Sequence, residues 1–146
     1  MRKTSFRYIP HTADVSFMAY GPTLKGAIES AAHAMLNLMF DLKRLNKDKG
    51  KIRTSAILVS APSDEQLVWF TLQEIASKVD EKGLKAYRFE VSEIKKARQG
   101  AKLRGRIFHK DAKEYMALMD VKAVTPHNLA VKKIRGRWGI RVVLDV

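Results

Sequence analysis

His11 and Asp14 stand three residues apart in the segment His11-Thr12-Ala13-Asp14. An imidazole and a carboxylate at that spacing can ligate a metal or exchange a proton. The same pair also suits a plainer role, with Asp14 capping its own turn and His11 packing on Tyr8. At the far end, Leu144-Asp145-Val146 closes a strongly apolar run, where a carboxylate ordinarily faces solvent. Placed beside Asp14, Asp145 would create a site rich in hard oxygen donors, to which the terminal carboxylate of Val146 adds. Calcium and magnesium favour such donors, and two neighbouring carboxylates stay ionised only with a cation or another partner beside them.

The remaining candidates are single residues. Lys122 opens Lys122-Ala123-Val124-Thr125-Pro126-His127, where it could meet a phosphate or an acidic partner, or simply blunt an edge strand. His127 on a strand suits packing or solvent as well as chemistry. His33 belongs to an alanine-rich helix and is expected to pack there, and His109 stands alone at a strand end. The chain has no Walker A loop, no GxGxxG, no serine elbow and no HExxH, so it offers no complete catalytic constellation.

The elements that must position these residues can be read from periodicity and breakers. Phe6 to Ile9 and Asp14 to Tyr20 read as short strands separated by Pro10. Thr23 is the N-cap of a helix running to about Phe40, with Ala27, Ile28, Ala31, Met35, Leu38 and Met39 as its apolar stripe. Lys43 to Lys51 reads as a basic loop, and Arg53 to Ser60 as a strand. Ser63 with Gln66 forms a capping box for a second helix that ends near Lys82-Gly83. Strands follow over Leu84–Ala97, Ala101–His109, Val121–Lys133 and Trp138–Val146, with hairpin turns at Gln99-Gly100 and Arg135-Gly136. Lys110 to Asp120 reads as a loop running into a strand. The expected class is α+β: one domain over residues 1–146, with two main helices and a mixed or mainly antiparallel sheet of about six to seven strands.

The 146 residues are 46% hydrophobic and contain no cysteine, which excludes disulfides and thiolate metal sites. There is no apolar leader and no membrane-spanning run, so a soluble cytoplasmic protein without membrane association is expected. The net charge of +13 favours polyanions or acidic protein surfaces. The basic residues gather around Lys43–Arg53, Lys95–Arg106 and Lys132–Arg141, each expected at a turn or strand end.

In order, the His11-Thr12-Ala13-Asp14 segment, Tyr20-Gly21 before the first helix, Trp69 within Leu67–Ile75, Lys122-Ala123-Val124-Thr125 with His127, and the ending Val142-Val143-Leu144-Asp145-Val146 resemble the archease family. The resemblance implies a non-catalytic accessory protein of the 3′-phosphate RNA-splicing ligase of transfer-RNA maturation, one that promotes guanylylation of the ligase and multiple turnover. It implies a divalent cation, usually calcium with magnesium or manganese as alternatives, held by Asp14, Asp145 and Val146. It makes Lys122 a contact for the ligase, with His11 and His127 beside it as further partner candidates, and adds transfer RNA and a transfer-RNA methyltransferase as further partners. Three positions depart from the family pattern: Pro10 and Arg106 stand where acidic residues are usual, and Pro126 where an aromatic is usual. Fewer acids would weaken cation affinity or change its selectivity, and Pro126 points to a bulge or an edge in its strand. Competing expectations are a basic RNA-associated chaperone with no metal role and a free-standing metal-dependent hydrolase using His11 or His127 as base.

Overall fold

The first helix, α1 (Leu24–Met39), buries residues on nearly every side, Ala27, Ile28, Ala31, Ala34, Met35 and Leu36 among them. A helix apolar all round must be covered all round. The computed structural model, which describes residues 4–9, 14–112 and 117–146, shows what covers it. One antiparallel sheet has the order β1-β2-β7-β6, formed by β1 (Ser5–Ile9), β2 (Val15–Gly21), β6 (Ala123–Ile134) and β7 (Arg137–Asp145). A second has the order β3-β5-β4, formed by β3 (Ile52–Ala61), β4 (Ala86–Ala97) and β5 (Gly100–Lys110). Helix α1 packs on β2 and β7 of the first sheet and on β4 of the second, while α3 (Asp64–Lys82) packs on β6 of the first and on β3 and β5 of the second. The two helices thus lie between the sheets, and each sheet keeps an outer face.

The α+β class, two main helices and seven antiparallel strands agree with the sequence reading. The strands, however, divide between two sheets. Thr23 and Ser63 are the N-caps, their side chains accepting from the Gly26 and Gln66 amides. Gly83, in the left-handed region at φ 60°, ends α3. The β6–β7 hairpin turns on Arg135 and Gly136, both at positive φ, as a two-residue turn of this hand requires. At the end of β2, a Cβ on Gly21 would lie 2.4 Å from the Ala27 nitrogen, so only glycine lets β2 run this close to α1.

Three local readings are corrected. The segment expected as a basic loop contains a short helix, α2 (Leu42–Lys47), capped by Asp41 and anchored by buried Leu42 and Leu45. Lys110 closes β5, with its side chain buried: the ammonium donates to the carbonyls of Leu45 (2.9 Å), Asn46 (3.0 Å) and Asp48 (2.9 Å), at the C-terminal end of α2. In the basic cluster around Lys95–Arg106, Lys95, Lys96 and Lys102 lie at the hairpin end of β4 and β5 as expected, whereas Arg104 and Arg106 occupy the middle of β5. The expectation for Pro126 holds in both respects. β6 is an edge strand, and its register breaks between Thr125 and Ala130, where Asn128 adopts φ 61°.

Candidate functional site

Strand β2 enters the first sheet immediately after Asp14, and β7 leaves it at Asp145. The two strands are antiparallel, with Val15 opposite Leu144. One step outward along that register, Asp14 and Asp145 stand opposite each other at one end of the sheet. Side chains alternate across a strand. Phe17 and Ala19, with Val142 and Leu144, are buried on the helix side, so Asp14 and Asp145 belong by parity to the outer side. Asp145 is exposed, Asp14 is partly exposed, and Val146 is half-buried against the core. The donors are carboxylate oxygens, which fit a hard divalent cation in kind. Among the described residues, no three acids or histidines cluster as a closed metal cage. His11 lies outside the described residues, as do Pro10, Thr12 and Ala13.

Strand β6 starts at the same end. Ala123 pairs with Asp145, and the Lys122 amide donates to the Asp145 carbonyl at 2.8 Å. The backbone of the Lys122 segment therefore abuts Asp145. Lys122 lines a cavity of about 310 Å³ along α3, together with Asp80, Glu81 and Asp120. His127 is exposed in the β6 excursion, where the Thr125 hydroxyl donates to its carbonyl at 3.3 Å. It sits off the ladder, inward of the Ala123–Asp145 pair.

Two α3 residues hold this edge. The Trp69 indole donates to the Val124 carbonyl at 2.6 Å, and the Gln73 side-chain oxygen accepts from the Val124 amide at 2.9 Å. Side chains four residues apart on one helix face substitute for the missing neighbour strand. The sequence marks Gln73 only by its i, i+4 spacing with Trp69. The other two histidines are structural. His33 packs near Phe6, with ring centroids 5.8 Å apart, and burial holds its pKa below the ordinary value. His109 is buried, its Nε2 lies 3.1 Å from the Ser55 hydroxyl, and burial likewise lowers its pKa.

Comparison with known proteins gives one consistent result. Residues 6–146 match the family model described as the Archease protein family (MTH1598/TM1083). The chain is 31% identical over 142 residues to protein archease of Methanopyrus kandleri, covering 94% of this chain and 96% of that one. It is 27% identical over 145 residues to protein archease of Methanosarcina mazei, covering 97% and 95%. Its fold matches the solution structure of Methanobacterium thermoautotrophicum protein 1598 with a TM-score of 0.80, at 26% identity and with 97% and 98% covered. A crystal structure from Thermotoga maritima, titled an archease and possible chaperone, shares the fold at a TM-score of 0.59 and 17% identity, with 94% of each chain covered.

Proposed function

This chain belongs to the archease family, and from that membership we propose that it is a non-catalytic accessory protein that activates a 3′-phosphate RNA-splicing ligase in transfer-RNA maturation. In this reading it promotes guanylylation of the ligase and its repeated turnover. Asp14 and Asp145, with Val146 beside them, hold one divalent cation, calcium being the first choice. The observation that carries the reading is the β2–β7 register, which brings two acids 131 positions apart in sequence to opposite places on neighbouring strands. Two carboxylates facing one another at the end of adjacent strands offer hard oxygen donors from both sides to one divalent cation.

A bound divalent ion supplies charge neutralisation and a fixed geometry for phosphate oxygens. The chain's own residues do the rest. β2 and β7 fix the spacing of the carboxylates, and the Lys122 amide ties the start of β6 to Asp145. Trp69 and Gln73 keep that edge in place through Val124. The exposed position of Asp145 leaves the site open for docking on a partner.

The experiment is ligase guanylylation with wild type, Asp14→Ala and Asp145→Ala, alongside calcium titration of each by calorimetry. Both variants are expected to lose calcium binding and most of the stimulation. Undiminished stimulation by both would end the carboxylate mechanism. Unchanged calcium binding would end the site assignment. The net charge of +13 favours one second reading, a basic RNA-associated chaperone or modulator of a transfer-RNA-modifying enzyme that uses no cation. It predicts RNA binding that survives both substitutions and weakens steeply with salt.

A further inference from the structure

We propose that the outer face of the β3-β5-β4 sheet is a binding surface for single-stranded nucleic acid. Along β5, Ala101, Leu103, Gly105 and Ile107 are buried, while Lys102, Arg104 and Arg106 point outward in one row that ends at Phe108. Cross-strand pairing extends the row onto β4: Lys95 faces Lys102, Glu93 faces Arg104, Glu90 faces Arg106 and Arg88 faces Phe108. The face therefore carries five cations against two carboxylates. Glu93 bridges Arg104 at 2.6 Å and Lys95 at 3.6 Å, and Glu90 pairs with Arg88 and Arg106. Among the described residues Lys102 has no carboxylate partner, and it stands directly opposite another lysine. Such a pair weakens a sheet unless an anion sits over it.

Two features favour a polynucleotide over an acidic protein surface. The first is the row itself. Its cations repeat every second residue along a rigid central strand, about 7 Å apart, which suits a chain of regularly repeating anions. The second is what flanks the row. On the β3 side stand Ala56, Leu58 and Ser60, so the row is walled by short side chains apart from Leu58, which is 74% exposed beside Arg104. At the end of the row the Arg88 and Arg106 guanidiniums lie 4.7 and 5.2 Å from the centre of the Phe108 ring. Flat guanidiniums and an exposed apolar ledge give unstacked bases a place to rest, which a carboxylate-bearing peptide does not need. At the opposite end the row opens into a cleft of about 550 Å³ lined by Ser60, Pro62, Lys95, Lys96 and Lys102.

The test is fluorescence anisotropy of a labelled single-stranded RNA of about 12 nucleotides, across a salt series, with the full chain. Two variants are used: Lys95→Gln/Lys102→Gln, which removes two exposed cations, and Leu58→Ser, which leaves the charge unchanged. A control, Lys43→Gln/Lys47→Gln, removes the same charge from α2. The Lys95/Lys102 variant is expected to bind about tenfold more weakly, with a salt slope shallower by about 1.4. Leu58→Ser is expected to weaken binding with the slope unchanged, and the control to move affinity little. Equal losses in the control and the Lys95/Lys102 variant would mean a diffuse field and overturn the proposal. So would wild-type binding by both Leu58→Ser and the Lys95/Lys102 variant, a duplex of the same length bound more tightly, or binding of an acidic peptide but not of RNA.

Discussion

Replacing Gln73 with methionine keeps the volume and helix propensity of the side chain but removes the acceptor for the Val124 amide. Val124 is 1% exposed, so its N–H has little water to turn to. A buried donor left without a partner costs about 1–3 kcal/mol. The neighbouring Trp69 bond to the Val124 carbonyl persists and keeps the edge nearby, which puts the expectation at about 1–2 kcal/mol. For a chain of this length that is a fall in Tm of roughly 3–8 °C. Gln73→Glu supplies the control, because a carboxylate can still accept the amide; it is expected within about 0.5 kcal/mol of wild type. Urea denaturation measures both, and the midpoint should move at constant m-value. Amide exchange at Val124 then shows whether the effect is local: protection should fall in the methionine variant and persist in the glutamate one. If the two variants match each other in stability and in Val124 exchange, the helix clasp is not what holds β6, and the backbone of the Lys122 segment is kept at Asp145 by the strand ladder alone.

Lys110→Met removes the ammonium that serves three carbonyls at the end of α2 and is expected to cost about 2–4 kcal/mol in urea denaturation; a loss below about 1 kcal/mol would show that water replaces the lysine. The desolvated histidines make stability sensitive to acid. Burial lowers the folded-state pKa values of His33 and His109 from 6.5, so below that value the unfolded chain binds more protons than the native one. Stability should be fully present above about pH 6.5, decline as pH falls through the interval between the unfolded and folded values, and level off below it. His33→Gln with His109→Gln should flatten that part of the profile, and an unchanged slope would assign the acid sensitivity to carboxylates.

Features that rest on local chemistry are legible in the sequence. Thr23 and Ser63 announce helix starts because their side chains satisfy amides three residues on. Pro126 announces a break in its ladder because it lacks a donor. The helix α2 is hidden, because six residues with only Leu42 and Leu45 apolar carry too little periodicity to outweigh the surrounding lysines and the loop signal of Asn46 and Gly50. The division into two sheets is hidden for a different reason: β2 pairs with β7 and β3 with β5, and no local pattern encodes which distant strand a strand will meet. The basic cluster on β5 shows the risk of counting charge without parity. As a run it looks like a charged tip, whereas the alternation Ala101-Lys102-Leu103-Arg104-Gly105-Arg106-Ile107 is that of a strand buried on one face only.

The layering separates the two candidate surfaces. Asp14 and Asp145 are on the outer side of one sheet, Lys102, Arg104 and Arg106 are on the outer side of the other, and the helices lie between. The two outer faces point away from one another. A nucleic acid held along β5 is therefore not presented to a cation at Asp14 and Asp145 on the same molecule. A partner that reads the acidic end and a strand that reads the basic face can thus bind together without competing, and raising the salt should weaken each contact that rests on charge.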